Sequence, residues 1–97
     1  MVNLLYTVDG MISPDYKERF IAEYQQVYIR YTKIKHFCDK IELAEVYGVG
    51  EAPKHDCPLS LLRKQQSYMG MYLGALEMRA MLENIDLSKV RKETLYP

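Results

Sequence analysis

Two apolar stripes, each at helical spacing and separated by a single break, constrain the fold more than any other feature. Phe20, Tyr24, Val27, Tyr31, Ile34, Cys38 and Ile41 follow one another at intervals that alternate four and three. Leu62, Gln66, Met69, Leu73, Leu76 and Ala80 repeat the same alternation. A four-three alternation is the heptad seam of helices packed side by side with a left-handed twist. Between the stripes, YGVGEAPKHDC carries two glycines and a proline, enough to end one helix and turn the chain back. The fold class expected is all-α: a long antiparallel two-helix hairpin, assembling into an oligomeric helical bundle.

The boundaries follow from capping chemistry. Ser13-Pro14-Asp15 reads as a helix start, with serine as cap, proline at the first helical position and aspartate at the positive end of the dipole. The first helix is expected over about 14–46, ~50 Å long at ~1.5 Å per residue. A loop of about 47–57 follows. Pro58 opens a second helix over about 58–84, with Asn84 as its stop, and residues 85–97 form a tail. All 97 residues make one domain on length alone.

The second helix is apolar on more than one side. Leu61, Tyr68, Tyr72, Ala75 and Leu82 flank its seam, and two helices cannot bury both surfaces. Self-association, hairpin on hairpin, is the simplest remedy; alternatively, the first dozen residues and the tail cover the flank. Gly70 and Gly74 form a notch in the same helix that either a neighbouring helix or a flat ligand can approach.

Charge narrows the partners. Thirteen basic and thirteen acidic residues cancel, which argues against long nucleic acid as a ligand. No apolar run reaches the ~18 residues of a membrane span. The start, MVNLLYTVDG, lacks a basic leader and is interrupted by Asp9, so the host cytoplasm is the expected compartment. The one locally basic stretch holds Arg30, Lys33, Lys35, His36 and Lys40, with Tyr24, Tyr28 and Tyr31 before or among them. In an antiparallel hairpin it runs beside Arg63-Lys64-Gln65-Gln66-Ser67-Tyr68. Cations, amides and tyrosines gathered there suit a small anionic ligand: phosphate on the cations, base on a ring. A solvated charged face with interfacial tyrosines is the plainer reading.

The histidines and cysteines form two His-x-Cys pairs, His36 with Cys38 and His55 with Cys57. They invite a zinc reading, but residues two apart on a helix point ~200° away from each other, so His36 and Cys38 do not converge on one tetrahedral ion. No metal and no cofactor is expected. Asp39, Glu42 and Glu45 read as a solvated face, and neither a phosphate-binding glycine loop nor a catalytic triad spacing is present. An enzyme is not expected.

SPDYKERFIAEYQQVYIRYTKI and CPLSLLRKQQSYMGMYLGALEMRAMLENIDL resemble small accessory proteins of phages of Gram-positive bacteria, over about residues 13–87. More remotely, Gln65-Gln66 followed by Tyr68-Met69-Gly70 is similar to the hairpin domain of phage anti-CBASS and anti-Thoeris proteins, although the first helix and the loop differ from that family's. Those proteins are helical oligomers that hold cyclic nucleotide signals without cleaving them. The resemblance implies a sponge for such a signal. The residues expected to serve it are Arg30, Lys33, Lys64 and Arg79 for phosphates, Tyr24, Tyr28, Tyr68 and Tyr72 for stacking, and Gln65 for base edges. The alternative is a protein-binding module that inhibits or scaffolds a host or phage protein through Leu61, Tyr68, Tyr72 and Leu82.

Overall fold

In a computed structural model, which describes residues 4–93, a 3-10 turn (Leu4–Thr7) runs into a short helix α1 (Val8–Met11). Two long helices follow, α2 (Tyr16–Glu45) and α3 (Leu59–Glu83), and then a short helix α4 (Ser88–Glu93). The described residues form helices and connections only, in a body of 47 × 24 × 23 Å.

α2 starts two residues later than the Ser13-Pro14 signal suggests. Asp15 is the cap, accepting the Lys17 N–H at 3.0 Å, while Ser13 accepts the Asp15 N–H and so braces the turn before it. An aspartate there supplies both the hydrogen bond and the charge that the helix start favours. At the far end Gly48 and Gly50 take left-handed backbone, φ 69° and 74°, a conformation glycine adopts without a steric penalty. The Val49 N–H then donates back to the Leu43 carbonyl at 2.7 Å. Pro58 is extended and precedes α3 as its cap, so α3 starts one residue later than expected. α3 ends at Asn84, which is left-handed with φ 57°; its own N–H and that of Ile85 both return to the Ala80 carbonyl.

The two stripes meet along the hairpin. Phe20, Tyr24, Cys38 and Ile41 on α2 are buried, as are Leu73, Leu76 and Ala80 on α3. Each large side chain removed from water in this way contributes roughly 1.5–3 kcal/mol. The core is thickest at the end where the chain folds back on both sides. Ile85, Leu87 and Val90 join Phe20, Tyr24 and Leu76 in one cluster, so much of the expected tail is a packed element. On the other side of α2, Thr7 is buried and accepts a hydrogen bond from the Gln26 amide at 3.0 Å. Gly10 lies so close to α2 that a Cβ there would stand 2.8 Å from the Ala22 Cβ. Among the described residues, no part of either terminal segment covers the outer flank of α3, where Leu61, Tyr68, Tyr72, Ala75 and Leu82 are exposed.

Candidate functional site

Midway along the hairpin, one side of the α2–α3 seam opens into a groove of about 480 Å³ lined by Leu4, Arg30, Lys33, Ile34, Phe37, Gln65 and Met69. The helical period explains the set. Arg30, Lys33, Ile34 and Phe37 lie three or four residues apart, on one face of α2, and Gln65 and Met69 are neighbours on α3. Leu4 reaches the groove because the 3-10 turn packs back along α2. Among the described residues, neither Arg30 nor Lys33 has a carboxylate in ion-pair range. Two uncompensated cations, one amide and one aromatic ring therefore share a partly apolar wall. The lining contains no carboxylate, imidazole, thiol or hydroxyl. Such a surface can hold an anion and a flat group.

Three of the residues expected to bind a ligand, Arg30, Lys33 and Gln65, come together in this groove. Lys64, next to Gln65, is exposed outside it, and Tyr68 is exposed on the outer face of α3. The other tyrosines and Arg79 have work elsewhere. Tyr24 is fully buried and its hydroxyl donates to Glu77 at 2.6 Å, so no face of its ring is open to stack on a base. Tyr28 lies half-buried against it, ring centres 5.8 Å apart. The Tyr72 hydroxyl donates to Glu23; that bond, first among the causes, holds its phenol above the ordinary range. Arg79 lies over the Phe20 ring at 4.9 Å and donates to the Tyr16 hydroxyl at 2.8 Å. These residues fasten α2 to α3 near the thick end of the hairpin, away from the groove.

Phe37 and Leu4 are lining residues that sequence reasoning missed. Phe37 carried a signal, since it follows Lys33 by four places and Arg30 by seven. Leu4 carried none, because only the packing of the N-terminal turn brings it there.

A second groove of about 460 Å³ opens elsewhere along the seam, lined by Tyr31, Arg63, Gln66, Ser67, Gly70 and Met71. Its cation is already spoken for. The Arg63 guanidinium donates to Asp39 at 3.0 Å, to Glu42 at 3.3 Å and to the Gln66 amide oxygen at 2.7 Å. Burial pushes the Asp39 carboxyl up, but hydrogen bonds from Lys35 and Arg63 outweigh it and hold the group below its usual range. Gly70 faces the Tyr31 ring, and a Cβ there would sit 3.4 Å from it, at van der Waals contact.

The histidine and cysteine pairs are far from converging. Cys38 is fully buried in the seam, where desolvation pushes its thiol up, while Cys57 is exposed at the start of α3. His55 donates to the Cys57 carbonyl at 2.7 Å, meets Glu45 at 3.4 Å and packs edge-on against Phe37. Among the described residues no group of three or more His, Cys, Asp or Glu side chains is placed to hold a metal ion. Nor is any described helix long and apolar enough to cross a membrane.

Residues 14–82, more than two thirds of the chain, match one known family, and they contain α2, all of α3 but its last residue, and all of the groove except Leu4. The chain belongs to the Sequestin family. No curated protein and no solved structure matches it. The name Sequestin denotes sequestration, a binding role rather than a catalytic one, and a groove that gathers two cations, an amide and an aromatic ring accords with that.

Proposed function

We propose that this Sequestin is a phage-encoded anti-defence protein that binds a cyclic nucleotide immune signal and withholds it without cleaving it. One observation carries the reading: Arg30, Lys33, Gln65 and Phe37 share a groove in which, among the described residues, no carboxylate pairs with either cation. Guanidinium and ammonium groups there suit phosphate oxygens, and the guanidinium can engage two at once. The Gln65 amide offers both a donor and an acceptor to a base edge, and the Phe37 ring offers an apolar contact for a base. Sequestration then follows from mass action, with the ligand held intact.

Thermal stability against a panel of cyclic mono-, di- and trinucleotides and cyclic ADP-ribose isomers tests this. A ligand at a hundredfold over its dissociation constant stabilises the fold by ~2.7 kcal/mol, and it should be recovered chemically unchanged after denaturation. Charge reversal at Arg30 or Lys33 should weaken binding by roughly 10- to 100-fold, the worth of one hydrogen bond to a charged group. The far-ultraviolet spectrum should not change. If both reversals leave the affinity of a stabilising ligand intact, the groove is not its site. No shift across the panel would favour the alternative, a hairpin that docks on a host or phage protein through the exposed Leu61, Tyr68, Tyr72 and Leu82 flank.

A further inference from the structure

Of the α2 residues that line the Arg30–Lys33–Gln65 groove, Phe37 stands nearest in sequence to the hairpin turn. It lies off the seam and is only half-buried, so α2 by itself leaves the ring a choice of rotamers. A second contact comes from the loop. Ala52, Pro53 and His55 are half-buried, and the His55 side chain is 18% exposed, so this part of the loop is seated on the hairpin. The His55 imidazole stands edge-on to Phe37, with ring centres 6.4 Å apart and planes at 88°. An aromatic pair of this geometry favours the paired orientation of a ring by roughly two- to tenfold.

Both nitrogens of that imidazole face acceptors. Nδ1 lies 2.7 Å from the Cys57 carbonyl and Nε2 lies 3.4 Å from the Glu45 carboxylate. A neutral imidazole has one N–H and can donate to one of them, whereas the imidazolium has two and can donate to both. Glu45 at the end of α2 and Asp56 beside the ring in the loop are the charges that act on it, and both favour the cation.

We infer that His55 is a positioning residue for the groove: as imidazolium it is pinned at both nitrogens and holds the Phe37 ring in the groove wall, and as neutral imidazole it keeps one bond, pivots and releases the ring. The aromatic wall is therefore sensitive to pH. Its sign follows from the proton count. The second bond exists while His55 is protonated, and the hydrogen bond to Cys57, then Glu45, raises the folded pKa above the ordinary 6.5. The wall is set below about pH 6.5 and loosens as pH rises through the folded value. That the groove is the ligand site rests on the reading above; given it, a ligand packed on Phe37 binds several-fold more weakly across the same rise in pH. The wall itself is measured on the unliganded protein, so the outcome is the same whether or not any nucleotide binds.

The chain has two phenylalanines, and Phe20 is buried in the core. Carbon-13 labelling of phenylalanine rings thus gives one reporter and one internal reference, and NMR order parameters read how tightly each ring is held. Between about pH 5.5 and 8.5, the wild-type Phe37 ring should pass from ordered to mobile and lose its cross-peak to His55. Its midpoint should equal that of the His55 ring protons. Phe20 should stay ordered in every variant, which checks that the fold is intact. In His55→Gln the Phe37 ring should be mobile throughout, and in Glu45→Gln the His55 and Phe37 midpoints should fall together. A Phe37 ring equally ordered across the range overturns the proposal. So does one that loosens at the same pH in His55→Gln, or a pair of midpoints that separate in Glu45→Gln.

Discussion

Tyr24 shows how one residue reads differently in sequence and in space. Its ring belongs to the α2 seam at the same four-three spacing as Phe20 and Val27, so the period that located the helix also marked the ring as core. Assigning it to base stacking set residue type above position. Its polar tip is accounted for by Glu77, 2.6 Å away. Tyr24→Phe keeps the packing and removes the donor to a half-buried carboxylate, at an expected cost of about 1–3 kcal/mol in chemical denaturation. An unchanged midpoint would show that water replaces the hydroxyl at no cost. That Arg30, Lys33 and Gln65 would lie near one another was legible because they sit just off the seams, where the helical period leaves side chains at the groove edge. Arg79 was legible as a cation but not as a partner of Phe20 and Tyr16, since those contacts join residues some sixty places apart.

The long helices were legible in the repeat and the short ones were not. A six-residue helix such as α4 spans less than two turns, too few to display a period, and its buried Val90 looks in sequence like any other tail residue. The N-terminal turn is similar: α1 is fixed by a close approach and not by a stripe. Gly10→Ala would place a methyl 2.8 Å from the Ala22 Cβ, and overpacking of this kind costs about 1–3 kcal/mol. The expected result is a lower melting temperature, with faster amide exchange confined to residues 4–11; unaltered exchange there would mean that α1 shifts without loss. The loop between α2 and α3 has its own fastening in His55. Its hydrogen bond to the Cys57 carbonyl, and then the Glu45 carboxylate, favour the imidazolium and raise its pKa above the ordinary 6.5. A raised value means that the fastening is fully present below about pH 6.5 and is lost as pH rises through the folded pKa. Wild-type melting temperature should therefore fall relative to that of His55→Ala as pH rises above about 6.5, and parallel pH profiles for the two proteins would count against it.

At the scale of the whole molecule, a chain with zero net charge holds two cations in one groove with no carboxylate partner among the described residues and leaves one helix apolar on its outer side. The outer flank was visible from sequence, since Leu61, Tyr68 and Leu82 could not share the seam with Leu73 and Leu76. Which flank the termini would cover was not, because that depends on where two short segments fold back. The contrast between the two cysteines has a practical consequence. Cys38 is sealed in the core and Cys57 is open at the start of α3, so the natural chain carries a single reactive handle for a spin label. Eighteen residues separate Cys57 from Ala75. Paired α3 helices running in opposite senses about Ala75 would hold two labels ~54 Å apart, and helices running in the same sense would hold them ~10 Å apart. A single dipolar distance, measured without any engineered cysteine, would thus report whether two copies of the chain pair through α3 and, if they do, in which sense.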